Sequence, residues 1–194
     1  MKEGKLIIVT APSGAGKTTI VKHLLATIPS LAFSVSATTR PMRNSEVDGR
    51  DYYFISVDTF KQKIAAHEFV EWEEVYPGKM YGTLIAELER IWDSGRHIIF
   101  DVDVKGAMSL KSKYPERTLS IFIKPPSVDV LIERLRARNT ETPETLQTRI
   151  EKVHYELSFE SKFDKVIVND VLENSLQQAF ALVNNFLTGN GDAA

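Results

Sequence analysis

The chain has 194 residues, 43% of them apolar and 26% charged, with 24 Lys and Arg against 26 Asp and Glu and a net charge of −2. That balance describes a globular protein; it excludes a disordered chain and argues against a broad basic groove for nucleic acid. Cysteine is absent, which excludes disulfides, a thiol nucleophile and thiolate metal sites and suits the cytoplasm. No run reaches the ~18 apolar residues of a membrane span, and the first apolar run is too short for a secretory signal.

The run KLIIVT (residues 5–10) reads as a strand buried on both faces. APSGAGKTT follows at once: Ala11, Pro12, Ser13, Gly14, Ala15, Gly16, Lys17, Thr18 and Thr19. A helix from Thr18 to Thr27 comes next and stops before Pro29. Strand, glycine-rich turn, Gly-Lys-Thr and helix form the Walker A arrangement, in which backbone amides wrap a triphosphate at the positive end of a helix. Lys17 would reach the β- and γ-phosphates, and the Thr18 hydroxyl would ligate Mg²⁺. Ala11 stands where the first glycine is usual, so its methyl requires a negative φ.

FSVS (33–36) reads as the next strand, and SATTRPMR places Arg40 and Arg43 just beyond its end. Guanidinium forks grip phosphate in two places, as a monophosphate acceptor requires. Residues 37–83 hold DYYFISV, EFVEWEEV and MYGT, with a Pro77-Gly78 turn, and read as a small, mostly β insertion. Tyr53, Phe54, Phe69 and Trp72 are expected in its core, and Glu73 and Glu74 as exposed strand charges.

Leu84 to Ser94 reads as a helix ended by Gly95. HIIFDV is a strand ending in Asp101, a carboxylate placed to hold Mg²⁺ directly or through water; Asp103 shares its face, and the competing role for these acids is to cap the segment VKGAMSL. LSIFI is a further strand. Ser127 caps VDVLIERLRAR, and Thr142-Pro143 opens TLQTRIEKVHYELSF. Arg138 and Arg149 flank the polar loop NTETPET, so a segment carrying both could close over a transferring phosphoryl group; Arg134 and Arg136 fit a solvated helix face. KVIV and a helix from Glu173 to Leu187 complete the chain. His23, His67, His97 and His154 are scattered, without metal-ligand spacing. Five strands alternating with helices predict an α/β fold with a five-stranded parallel sheet.

Several motifs in order, SVSATTRPMRNSEVDGRDYYF, FVEWEEV, YGT, IIFDVDVKGA, RARNTETPET and VIVND, resemble the guanylate kinase family from Lys5 to about Leu187. The resemblance implies the P-loop nucleoside-monophosphate-kinase fold as a single domain in three parts. These are a core (about 1–33, 84–125 and 161–194), a GMP-binding lobe (about 34–83) and a helical lid (about 126–160). It implies transfer of the γ-phosphoryl group from MgATP to GMP, with Lys17, Arg138 and Arg149 as catalytic groups. Asn169 would join residues 11–19 at ATP. Arg40, Arg43, Tyr52 and Tyr81 would bind the GMP phosphate, Ser36, Glu71 and Thr83 would read guanine, and Asp101 would lie near GMP and the metal. The expected partners are ATP and GMP, with dGMP a further candidate acceptor, and no nucleic acid or membrane. A monomer or weak homo-oligomer in cytoplasmic purine nucleotide metabolism is expected. The rival readings are a kinase of this fold for another phosphorylated acceptor and a non-catalytic peptide-binding module.

Overall fold

The computed structural model describes residues 4–137 and 143–189, with the side chains of residues 134–149 outside the described set. Strand β1 (Leu6–Thr10) is buried along its whole length, as a run of Leu, Ile and Val at the centre of a parallel sheet must be. It pairs in parallel with β7 (His97–Asp101) on one side and β8 (Thr118–Lys124) on the other. β2 (Leu31–Phe33) and β9 (Lys165–Val168) form the edges, giving the order β2-β7-β1-β8-β9. The expected five-stranded parallel sheet is present.

Alternation along these strands feeds two apolar layers. Ile7, Val9, Ile99, Ile121 and Ile123 pack against helices α1 (Lys17–Thr27) and α7 (Leu172–Thr188). Leu6, Ile8, Ile98, Phe100 and Phe122 pack against α3 (Ile85–Asp93) and α4 (Val104–Lys113). Each fully buried Leu, Ile or Phe of this kind contributes roughly 1.5–3 kcal/mol. Ser127 caps α5 (Val128–Ala137), accepting from the Val130 amide at 3.2 Å. Helix α6 (Pro143–Leu157) follows, and Gly95 ends α3 with φ 72°.

A second sheet, in the order β4-β3-β6-β5, comprises β3 (Ala37–Thr38), β4 (Tyr53–Phe54), β5 (Phe69–Tyr76) and β6 (Lys79–Leu84). Its own small core joins Phe60, Phe69 and Met80, with the Phe60 and Phe69 rings stacked at 4.4 Å. Phe60 belongs to a helix the sequence reading placed inside a mostly β segment: α2 (Val57–Ala65), capped by Ser56, whose hydroxyl accepts from the Thr59 amide at 3.0 Å.

Two expectations are corrected. The strand expected at FSVS lies earlier, at Leu31–Phe33. The Ser34 amide still donates to Ile99, but the Val35 amide turns to the buried carboxylate of Glu87 on α3, at 2.9 Å, and the ladder ends. Glu87 also accepts the Tyr53 hydroxyl at 3.1 Å and is held by Arg90 at 2.8 and 2.9 Å, so it ties the crossing between the sheets to β4. Trp72 is not core: it is 45% exposed, because period two on β5 turns it away from the face that buries Glu71.

Candidate active site

The carboxyl ends of β1 and β7 lie side by side, with Val9 paired to Asp101. The glycine-rich loop leaves β1 at this point. Gly14 and Gly16 adopt φ of 94° and 96°, open to glycine at little cost. Among the described residues the only non-glycine with positive φ is His67, so the Ala11 methyl meets its requirement and is buried. Gly16 caps α1, whose first intrahelical bonds come from the Thr19 and Ile20 amides to the Gly16 carbonyl. The amides ahead of them lie at the positive end of the helix. Asn169 sits beneath this turn, 5% exposed, and donates to the Ala15 carbonyl at 2.7 Å. A Cβ on Gly16 would stand 2.3 Å from the Asn169 amide nitrogen. Asn169 thus braces the loop from below.

Lys17 reaches from the loop to Asp101, with Nζ 2.6 Å from Oδ1, and donates to the Val102 carbonyl at 3.3 Å. The Thr10 hydroxyl donates to the same carbonyl at 3.0 Å, stitching β1 to the segment after β7. Burial opposes the charge on Lys17, but the Asp101 carboxylate outweighs it and the pKa stands above the ordinary lysine value. Asp103 caps α4, accepting from the Gly106 amide at 2.9 Å, as the competing reading of this acid held.

Glu71 lies on β5 just past an irregularity in the β5–β6 register. Bulges of this kind re-aim side chains, and here Phe69, Val70 and Glu71 are buried in succession. Oε1 of Glu71 accepts from the Thr83 hydroxyl at 2.6 Å. A Cβ on Gly106 would come within 3.0 Å of Oε2, so a glycine on α4 makes room for the acid. Burial pushes the Glu71 carboxyl up to about 7; the Thr83 bond opposes the shift and the Asp103 charge adds to it.

Two adjacent clefts meet here. One, of about 270 Å³, is walled by Ser36, Tyr52, Glu71, Tyr81 and Asp101. The other, of about 330 Å³, is walled by Ala11, Pro12, Ser13, Gly14, Gly16, Thr18 and Thr19, with Glu156 of α6 opposite. Lys17, Asp103 and Lys152 line both. The structure thus gathers most of the sequence-derived residues on two neighbouring walls. Thr83 stands behind Glu71, fully buried.

Arg40 and Arg43 are not on either wall. Arg40 is one layer back, gripped by Glu46 through two bonds of 2.6 and 2.7 Å, with its guanidinium 4.9 Å from the centre of the Tyr52 ring. Hydrogen bonding to Arg40 holds the Glu46 carboxyl down to about 2. The Glu46 carboxylate also accepts from the Arg43 amide at 2.8 Å, while the Arg43 side chain is exposed. Arg138 lies outside the described residues. Arg149 lies on α6 with its side chain outside the described set, as do those of Arg134 and Arg136.

Sequence reasoning missed Glu46, Lys152 and Glu156. The spacing of Glu46, three residues after Arg43 in one polar loop, was the available sign for the first. Lys152 follows Arg149 by three positions, on one helix face.

Sheet order, glycine-rich loop and the carboxylate on the neighbouring strand define a P-loop phosphotransferase of the nucleoside-monophosphate-kinase type. A family model described as guanylate kinase matches residues 3–185. A guanylate kinase of Bacteroides fragilis is 51% identical over 185 residues, covering 95% of this chain and 91% of that protein. One of Chlorobium luteolum is 45% identical over 95% and 93%. The crystal structure of guanylate kinase from Anaplasma phagocytophilum superposes with a TM-score of 0.76 at 29% identity, covering 96% of this chain and 88% of the other. The chain belongs to the guanylate kinase family.

Proposed function

We infer that this chain transfers the γ-phosphoryl group of ATP to GMP, giving ADP and GDP. The observation that carries the reading is the meeting of the loop-walled cleft and the Glu71 cleft at Lys17 and Asp103. A donor triphosphate on the loop and an acceptor monophosphate before Glu71 would face each other across that junction.

On the donor side, the amides of residues 11–19 would cradle the phosphates, with Lys17 on the β- and γ-phosphates and Asn169 keeping the loop in shape. Among the described residues no cluster of three or more acidic or His side chains could hold a metal alone. That suits Mg²⁺ carried by the nucleotide's own phosphates. The hard oxygen donors of Thr18, directly, and Asp101, through water, fit such an ion, which when bound would neutralise phosphate charge.

On the acceptor side, Glu71 would accept guanine N1–H and the 2-amino group together. Adenine lacks both donors on that edge and would leave a buried acid unpaired, a difference able to impose ~10⁴-fold discrimination. Thr83 already donates to Glu71 and so fixes its plane, leaving Ser36, on the cleft wall, to serve the guanine O6. Tyr52, Tyr81, Arg40 and Arg43 would hold the phosphate, Arg40 through a turn of its side chain past Tyr52. No general base is needed, because a phosphate oxygen is already anionic. Catalysis is then alignment plus neutralisation of charge, to which Arg138 and Arg149 would contribute as residues 126–160 cover the site. The retained Lys17, Thr18 and Asp101 disfavour a non-catalytic peptide-binding module. Among the described residues no helix is long and apolar enough to cross a membrane. We assign the enzyme to the cytoplasm as a monomer or weak oligomer; sedimentation of the purified chain tests the latter.

The test is release of ADP from MgATP with GMP, dGMP, AMP and CMP as acceptors, by the parent chain and by Lys17→Ala. Turnover with GMP, little with AMP and none by Lys17→Ala is expected. Equal use of AMP, or no GMP-dependent ADP, refutes the reading.

A further inference from the structure

We propose that Lys152 is a phosphate-contacting residue of this reaction, seated on α6 so that its ammonium bridges donor and acceptor phosphates. The inference rests on the function proposed above and assigns it one more group.

Among the described residues, the only cationic side chains lining either cleft are Lys17 and Lys152, and both line the two clefts at once. Their situations differ. Lys17 is committed to Asp101 at 2.6 Å. Among the described residues, the nearest carboxylate to Lys152 is that of Glu156, at 3.9 Å, beyond hydrogen-bond reach. Its Nζ lies 5.2 Å from the centre of the Tyr76 ring, at the tip of the β5–β6 hairpin. The other lysine near this face, Lys105, is already bonded to Glu73. A third of the Lys152 side chain is exposed, at 32%, and it opens on the junction. An ammonium held by one distant carboxylate and one ring face is free to exchange these for phosphate oxygens, at little cost in lost bonds.

Position on the helix strengthens the assignment. Lys152 is three residues after Arg149, so both lie on one face of α6. The same helix carries Glu156, four residues on, 5% exposed on the wall of the loop cleft. Burial pushes the Glu156 carboxyl up against the pull of Lys152 and Lys17, and it shares the wall of the loop cleft with Ser13, so α6 meets the phosphate loop one turn beyond Lys152. Tyr76 fixes the other side, from the hairpin whose strands carry Glu71 and Tyr81. Lys152 is thereby held between the donor loop and the acceptor sheet. The extra negative charge of two nucleotides is brought together at that point. A cation there acts on neither nucleotide alone so much as on the pair.

The competing role is that Lys152 only balances the buried charge of Glu156. Three variants, Lys152→Gln, Lys152→Arg and the double variant Lys152→Gln/Glu156→Gln, separate the two. Steady-state rates with MgATP and GMP are measured beside calorimetric affinities for three probes. These are GMP, a non-hydrolysable ATP analogue, and a bisubstrate compound joining adenosine and guanosine 5′ to 5′ through five phosphates. For Lys152→Gln we expect kcat to fall roughly 10- to 100-fold, the range set by losing one charge-stabilising contact at a reacting centre. Affinity for GMP and for the ATP analogue should each change by less than about 3-fold, while the bisubstrate compound loses about 10-fold or more. Lys152→Arg should recover most of the loss, and the double variant none. The proposal is overturned by any of three results: kcat of Lys152→Gln within about 2-fold of the parent, an unchanged bisubstrate affinity, or restoration of the rate by Glu156→Gln in the double variant. Parent chain inactive toward GMP would instead sink the function itself, and the parent assay reports that separately.

Discussion

Replacing Glu71 by Gln separates what this acid does for the acceptor from what it does to the fold. In the folded chain burial holds its carboxyl at about 7, against 4.5 for the ordinary group. Between those values the native state binds more protons than the unfolded state, so stability falls as pH rises through that window and levels off above about 7. At about 1.36 kcal/mol per pH unit the gap amounts to roughly 3 kcal/mol of destabilisation at pH 8. Glu71→Gln keeps the shape and an oxygen for the Thr83 hydroxyl but carries no charge. We therefore expect it to be more stable than the parent by about 2–3 kcal/mol at pH 8, with the difference shrinking to less than about 1 kcal/mol at pH 5 and vanishing only below the unfolded value of 4.5. Urea unfolding of ligand-free protein at the two pH values reads this directly. GMP turnover should move the other way, with kcat/KM down by roughly 10²-fold or more. A Gln variant less stable than the parent at pH 8, or an advantage that does not shrink toward pH 5, would refute the claim that the acid is held charged against its surroundings.

The same carboxyl governs the acceptor's pH dependence: guanine needs the charged form, so GMP affinity should weaken below pH 7, by at most about tenfold per pH unit. GMP titrates on its own account, so the measurement is the difference between parent and Glu71→Gln, which should lack that component. Asn169→Ala removes the brace under the phosphate loop and leaves the Ala15 carbonyl without its donor. It should lower stability by about 1–3 kcal/mol and raise the KM for ATP more than that for GMP, as unfolding and initial rates will show. Glu46→Gln discharges the partner of Arg40; we expect the KM for GMP to rise several-fold while that for ATP stays put, read in the same assay.

The phosphate loop was legible because its chemistry is local: strand, turn and helix dictate its shape within 23 consecutive residues, from Lys5 to Thr27. The core strands other than β2 followed for the same reason, since runs such as HIIFD have no other home than a buried parallel sheet. Glu71 was different. Nothing in EFVEWEEV separates it from Glu73 and Glu74; burial distinguishes it, and burial depends on a register irregularity, on Thr83 across the hairpin and on the glycine at 106. Only the family resemblance singled it out. Trp72 misled for the converse reason, since a large aromatic between acids looks like core until the sheet's faces are known. Helix α2 has its cap in plain view at Ser56, yet Tyr-Tyr-Phe-Ile ahead of it pulled the reading toward strand. Glu46, Lys152 and Glu156 took meaning only from distances that no linear spacing supplies.

Glu87 has a consequence for how the two sheets can shift against each other. One carboxylate holds an amide where the chain leaves the core, a phenol on the far sheet and an arginine of its own helix. A rocking motion that spares these bonds must swing about an axis through that point, like a door on its pin. Displacements should therefore be least beside Val35 and Tyr53 and greatest at the Pro77-Gly78 tip.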